Sequence, residues 1–504
     1  MRPALLALAA TAAVAHAQRQ PVSALLQPPS GAVATGVLLQ DVDGDGREDL
    51  TLLCRGADGV RRVVLHLQQA SGPAFVLAPS RPPIDLDRDV VACTWCECLP
   101  APGLELVVWT AERVVVVTPD DEGGADYTPL FEHRLVWPAA DRSKLQPLPR
   151  SPIDLDGDGR TDLLLPGPDR WTVYFQDAPD ADGKPVFSRT ADIALPTIRS
   201  AVAIDASEGG LTIDGAAIGL RLGSAAPNGG DRGPLVDVLT RTPLSRTLDL
   251  DGDTRLDVVV LRNRELFALL QTAPRRLELA NRPLPLPEDR IKVLDPAFDV
   301  QFADLDGDRR AELLLTTSGK RDDEVEVRVD LFHGADGLTW PDRTSRLRMQ
   351  PLARPPQLVD ADGDGDLDLV CVTVRTSALA SLTGSGKNTV DAQLNVFRND
   401  DGKLSSRAML NLPLELPAGD GGLVPPFLLV RPSSKPGRPG DVLLRQDDRV
   451  VQRRLVPDGD GLELTEELGS VNVPKDGNVR ALDATGDAIL VYTEFELHHV
   501  RFPR

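Results

Sequence analysis

The apolar residues of this chain fall in short runs set between polar, turn-rich stretches. DLTLLC, DLLLP, DVVVL, ELLLT and DLVCV, opening at Asp49, Asp162, Asp257, Glu312 and Asp368, are continuous rather than alternating. Short runs rich in Leu and Val read as strands buried on both faces. A second apolar run follows the first, as in RVVLHLQ, TVYFQD, VDLFHG and LNVFRN. Then comes a Gly-containing turn (APDADGKPVF, GADGLTW, NDDGKLS), a further short strand and a Pro-rich link. The pattern predicts units of four strands and about 55 residues, the size of propeller blades. Such a unit hides its apolar faces only against its neighbours, so the units are expected to close into a ring. The expected fold class is all-β, a single β-propeller of four-stranded blades.

A nonapeptide stands before each of the five continuous runs and ends on its first residue. The five are DVDGDGRED, DLDGDGRTD, DLDGDTRLD, DLDGDRRAE and DADGDGDLD. Acids recur at positions 1, 3, 5 and 9, with Gly at position 4. They are Asp41, Asp43, Asp45 and Asp49; Asp154, Asp156, Asp158 and Asp162; Asp249, Asp251, Asp253 and Asp257; Asp304, Asp306, Asp308 and Glu312; and Asp360, Asp362, Asp364 and Asp368. Alternate side chains of a tight loop can converge on one hard cation, and Ca²⁺ takes six to eight oxygens. Position 7 is read as a carbonyl ligand whose side chain is free to vary: Arg47, Arg160, Arg255, Arg310 and Asp366. The ninth acid is read as a bidentate closing ligand. An EF-hand would close at position 12 and be flanked by helices, which this pattern is not. The expectation is about five Ca²⁺ ions. Mg²⁺ is disfavoured because it keeps its waters and takes fewer carboxylates.

The loops open at residues 41, 154, 249, 304 and 360. The last two steps are 55 and 56 residues (249 to 304, 304 to 360), and the first, 113, is close to two units. ECLPAPGLELVVW from Glu97 fills the gap as a decayed copy; DLDRD from Asp85 is a lower-ranked rival that would put Cys93 at position 9. RPSSKPGRPGDVLLR, closing on Asp441, and ALDATGDAILVY, from Ala481, read as two more decayed copies. The count is therefore eight blades, with seven as the alternative. The last unit has strands near Arg480–Asp483, Ile489–Glu494 and Glu496–Phe502 and lacks a fourth. Residues Pro21–Gln27 precede the first unit and are expected to supply that strand, removing two open edges.

The formal charge of −21 makes phosphate backbones and anionic lipid poor partners. The five loops hold 20 carboxylates, nearly the size of that net charge. With 4% aromatic residues, a stacking platform for sugars or single strands is disfavoured. The opening MRPALLALAATAAVAHA reads as a signal peptide, residues 1–17, cleaved after Ala17 to leave 18–504. No later stretch is long and apolar enough to suggest a membrane span. Cys54, Cys93, Cys96, Cys98 and Cys371 are no disulfide framework for so long a chain. On an extended strand Cys93 and Cys96 face opposite ways, while Cys96 and Cys98 share a face. Buried thiols are the main reading, with a local disulfide or a metal as alternatives. His66, His333, His498 and His499 read as surface or edge residues. No G-x-S-x-G, H-E-x-x-H or P-loop is present.

The repeated D-x-D-G-D loops, each entering a strand, resemble those of the FG-GAP/VCBS repeat family, the propeller type of the integrin α head. The resemblance implies a seven- or eight-bladed propeller with calcium loops between the first and second strands, on the lower face. It implies partner docking on the upper face, formed by the connections between strands two and three and between strands four and one. Two insertions, Glu208–Gly233 and Ser377–Asp391, would fall there. The chain is thus read as an exported, monomeric scaffold for binding, adhesion or protein interaction, with structural calcium. Its location would be periplasmic, cell-surface or extracellular, and its partner a protein or glycan. It is not read as an enzyme; the alternative is an extracellular polysaccharide lyase or sugar dehydratase. A third reading is a calcium buffer or purely structural surface protein.

Overall fold

The computed structural model describes residues 22–26, 28–69, 75–78, 82–99, 103–119, 125–136, 145–147, 152–194, 198–204, 218–220, 235–241, 244–262, 265–283, 299–321, 324–335, 339–374, 389–419, 422–423, 428–433, 437–446, 448–474, 478–481, 488–492 and 497–502. The expected signal peptide, the turn after Ala481, most of Glu208–Gly233 and residues 377–388 lie outside them. No helix occurs among the described residues, and none is long and apolar enough to cross a membrane.

Eight antiparallel sheets follow one another along the chain. Blade 1 is Ala32–Gln40, Asp49–Gly56, Arg61–Gln68 and Phe75–Leu77. Blade 2 is Ala92–Cys96, Glu105–Trp109, Arg113–Pro119 and Ala125–Glu132. Blade 3 is Pro152–Ile153, Asp162–Pro166, Arg170–Asp177 and Val186–Ala194. Blade 4 is Leu244–Leu248, Asp257–Arg262, Glu265–Ala273 and Arg276–Pro283. Blade 5 is Asp299–Ala303, Glu312–Arg321, Glu324–Phe332 and Arg343–Met349. Blade 6 is Gln357–Val359, Asp368–Val374, Thr389–Phe397 and Leu410–Gly419. Blade 7 is Leu428–Arg431, Asp441–Gln446, Arg449–Asp458 and Gly461–Asn472. Blade 8 joins Asn478–Ala481, Ala488–Tyr492 and Leu497–Arg501 to Val22–Leu26 from the other end of the chain.

The continuous apolar runs follow from what lies on either side of each sheet. Side chains alternate along a strand, so one sheet serves two seams. In blade 3, Leu163, Leu165 and Tyr174 pack with Ala92, Val107 and Trp109 of blade 2, whereas Leu164, Val173 and Phe175 pack with Val258, Val260 and Leu269 of blade 4. Val259, Leu266 and Ala268 of blade 4 turn the other way, onto Val300, Leu313 and Leu315 of blade 5. The same pattern joins blades 5 to 6, 6 to 7 and 7 to 8. Leu26 then packs against Val37, Leu50 and Leu52, which closes blade 8 onto blade 1. The ring is a β-propeller with eight blades among the described residues. The terminal strand pairs as expected, from Val22 opposite Arg501 to Leu26 opposite Leu497.

The long interval between the third and fourth units carries a small sheet of Ile198–Ile204, Leu235–Arg241 and Ile218–Leu220. Blades 3 and 4 still pack directly on each other, so this sheet is an insertion and not a blade. The rival loop from Asp85 lies in a short strand, Ile84–Leu86, that pairs with the third strand of blade 1. Glu105 opens the second strand of blade 2, where the copy from Glu97 places it.

Candidate metal centres

Each intact loop joins the first and second strands of its blade, and all five share one hydrogen-bond frame. The first acid is the hub. Asp41 Oδ1 accepts from Gly44 N at 2.9 Å and Asp45 N at 3.0 Å, and its Oδ2 accepts from Gly46 N at 2.8 Å. Asp154 repeats this with Gly157, Asp158 and Gly159, and Asp249 with Gly252, Asp253 and Thr254. Asp304 accepts from Gly307 and Arg309, and Asp360 from Gly363. The curl needs a left-handed residue at position 4, and Gly44 has φ 77°. At position 6, Thr254 and Arg309 take φ 73° where the other three loops have Gly.

The ninth acid does more than end the loop. Asp49 Oδ2 accepts from Val42 N at 2.9 Å, and Oδ1 from Gln68 N at 2.8 Å. Position 2 and the end of the third strand are thereby tied to one buried carboxylate. Asp162 does the same for Leu155 and Gln176, Asp257 for Leu250 and Gln271, Glu312 for Leu305 and Gly334, and Asp368 for Ala361 and Asn399. The ninth acid, expected as a bidentate closing ligand, thus holds one backbone N–H on each oxygen and keeps a second lone pair on each. Burial pushes Asp162 and Asp257 up to about 6 and Asp368 up to about 7, and raises Asp49 and Glu312 as well.

Acids 1, 3 and 9 converge in three loops: Asp41, Asp43 and Asp49; Asp154, Asp156 and Asp162; Asp249, Asp251 and Asp257. In each set one oxygen per residue lies within 4.8 Å of the others. In the Asp304 loop the sets are Asp304, Asp306 and Asp308, and Asp306, Glu312 and His333. Oxygens so spaced fit around one cation at calcium–oxygen distances of 2.3–2.6 Å. The donors are hard, partly desolvated carboxylate oxygens, so the residues fit Ca²⁺. The fifth acid takes a different part. Asp45, Asp158 and Asp253 pair with the guanidinium groups of Arg47, Arg160 and Arg255. Nε of these arginines donates to the carbonyls of Gln68, Gln176 and Gln271. In these three loops the side chain at position 7, read from sequence as free to vary, also bridges the fifth acid to the third strand. Arg310 lies 3.6 Å from Asp308, and Asp366 N donates to Asp364.

Four of the five loops also reach a neighbouring blade through the carbonyl at position 2. Val42 O accepts from Leu104 N of blade 2 at 2.8 Å. Leu155 O accepts from Gln271 Nε2 of blade 4 at 2.6 Å, and Leu305 O from Asn399 Nδ2 of blade 6 at 2.8 Å. Ala361 O accepts from Gly440 N of blade 7 at 3.0 Å. The decayed copy of blade 2 keeps this contact without the acids at positions 3 and 5. Cys98 O accepts from Gln176 Nε2 of blade 3, while Cys98 N and Leu99 N donate to Glu105. Asp441 is neutralised by Arg431 and Arg454 and accepts a hydrogen bond from Gln452 Nε2.

The five cysteines are buried and free. Cys93 lies in the seam to blade 1, and Cys96 and Cys98 in the seam to blade 3, with their sulfurs 3.2 Å apart. His66 is buried, contrary to the surface reading. His133, which the histidine reading passed over, is buried too, with Nδ1 3.0 Å from Tyr174 Oη and its pKa pushed down to about 4 by burial.

No protein-family model and no curated protein matches the chain. Among solved structures it is similar to the WD40 domain of SCAP from fission yeast, at 10% identity over 96% of this chain and 94% of that one, with a TM-score of 0.42. It is similar to the Nup133 β-propeller domain of Vanderwaltozyma polyspora, at 10% identity over 78% and 90%, TM-score 0.38. It is also similar to a rhamnogalacturonan lyase of Bacillus licheniformis, at 14% identity over 95% and 75%, TM-score 0.34.

Proposed function

We propose that the chain is an exported propeller of the FG-GAP/VCBS kind, stiffened by calcium and serving as a scaffold that binds a protein or glycan. The observation that carries this reading is the double duty of each loop. In the Asp41, Asp154, Asp249 and Asp304 loops acids gather around one point, while the second residue of every loop donates to the ninth acid and, in four of the five, accepts from a neighbouring blade. A cation held there fixes the turn and, through it, the seam. Binding only the folded state raises stability by mass action. Every intact loop joins first and second strands, so the opposite face of the ring is left to the connections between blades and to the sheet inserted between blades 3 and 4. That face is the docking surface in this reading.

The test is a thermal melt of residues 18–504 in excess Ca²⁺ and in chelator, with metal analysis of the purified protein. A large calcium-dependent rise in Tm with several bound ions is expected. Equal melts and no bound ion would sink the metal reading. Deleting residues 208–233 and finding partner capture unchanged would count against docking through that insertion.

A further inference from the structure

The residue just before each third-strand N–H donor occupies one equivalent place in the five loops. These residues are Leu67, Phe175, Leu270, His333 and Arg398. Where this place holds Leu67 or Leu270, no ion pair among the described residues involves Asp43 or Asp251 at position 3. Arg398 instead puts Nη2 2.7 Å from Asp362 Oδ2. In the Asp154 loop the place holds Phe175, and a guanidinium arrives from elsewhere. Arg275, in the turn between the last two strands of blade 4, passes 5.5 Å from the centre of the Phe175 ring. Its Nε lies 2.5 Å from Asp156 Oδ2, and its Nη2 2.9 Å from Asp158 Oδ2. It also pairs with Asp177 and donates to Gln176 O at 2.6 Å. The Asp156 side chain is left 2% exposed.

We propose that the five loops form two classes of cation site, and that Arg275 and Arg398 are tethered cations competing for the position-3 carboxylate. This rests on the calcium reading and adds which loops fill first. A guanidinium keeps its charge at any physiological pH, so a divalent ion entering the Asp154 or Asp360 loop must displace it or share its carboxylate. His333 Nδ1 lies 3.1 Å from Asp306 Oδ2 in a set with Glu312, and an imidazole nitrogen can itself join a ligand set, as a guanidinium cannot. The Asp41, Asp249 and Asp304 loops therefore make the tight class. Arg275 reaches across the seam where the chain makes its long excursion between blades 3 and 4. It thus joins those blades when the Asp154 loop holds no metal.

The test is calorimetric titration of residues 18–504 with Ca²⁺ at fixed pH. Three tight sites are expected, and two that are weaker by about 10- to 100-fold, the scale of one charge-assisted contact. R275Q and R398Q should each move one site into the tight class, and the double variant should give five. Far-UV circular dichroism checks folding, and either variant alone suffices, because the two loops lie in different blades. Five equal sites in the parent chain, or variants that leave the weak class at two, would overturn the two-class proposal while keeping the calcium reading. No binding at any site would overturn the calcium reading itself.

Discussion

Replacing Asp162 by Asn separates the latch role of the ninth acid from its charge. Leu155 N and Gln176 N each donate to it at 2.9 Å, and the residue is fully buried. An amide keeps one acceptor and presents its NH₂ to the other backbone N–H. One charge-assisted bond is lost, worth about 1.5–3 kcal/mol, and one buried N–H is left facing a donor, at about 1–3 kcal/mol. The sum is about 3–5 kcal/mol. Opposing it is the cost of burying the anion, whose pKa stands at about 6 instead of 3.8. At pH 7.5 that cost is up to about 3 kcal/mol, and D162N relieves it. In chelator the two effects largely cancel. On the calcium reading, the charge bound in excess calcium offsets the anion, so the full loss is expected there. With an unfolding entropy of about 1 kcal/mol/K for a chain of this size, the expected drop in Tm is about 3–5 °C in calcium and about 1–2 °C in chelator. Scanning calorimetry of parent and variant in both buffers measures it. Equal drops in the two conditions, or a drop under about 1 °C in calcium, would refute the account of the ninth acid.

Gly252→Ala should cost more than Gly44→Ala. Both glycines are left-handed, at about 1–2 kcal/mol for an L-residue, but a Cβ at Gly252 would sit 2.8 Å from Arg309 O of the next loop, whereas one at Gly44 meets nothing within 4 Å; urea unfolding of both variants decides it. His133 has its pKa lowered by burial from 6.5 to about 4, so the folded protein holds fewer protons than the unfolded chain between those values. The stability it contributes is complete above about pH 6.5 and is lost, up to about 3 kcal/mol, as pH falls towards 4; His133→Gln should show a shallower loss between pH 6.5 and 4.5 by denaturant titration. Removing residues 18–27 takes away the strand of Val22–Leu26 and exposes the edge of Leu497–Arg501; sedimentation velocity should show self-association, and a stable monomer would count against the clasp.

The ring was readable from sequence because each blade is buried on both faces, which turns its second strand into an unbroken apolar run. The clasp was readable because an incomplete last unit and an unassigned first segment make one blade between them. The insertion between blades 3 and 4 was readable as excess length only. Its three strands carry no loop motif, and only the direct packing of Leu164 and Phe175 on Val258 and Leu269 shows that it stands apart from the ring.

The nonapeptide shows where reading residues one at a time stops. Ligand logic assigns the acids to metal, gives position 7 only its carbonyl and leaves position 2 without a role. The structure gives both a role through the backbone. Position 2 is apolar in every intact loop (Val42, Leu155, Leu250, Leu305, Ala361), and in all five its side chain is buried in a seam. Its N–H donates to the ninth acid. Arginine recurs at position 7 in four of the five loops, and that recurrence was the available signal. A carbonyl ligand needs no particular side chain, whereas a bridge from the fifth acid to the third strand does. The decayed loop of blade 7 makes the converse point. Asp441 keeps the ninth position, yet Arg431 and Arg454 neutralise it. A buried carboxylate at a seam thus needs positive charge nearby, and this ring supplies it from side chains where the acids of the loop are missing.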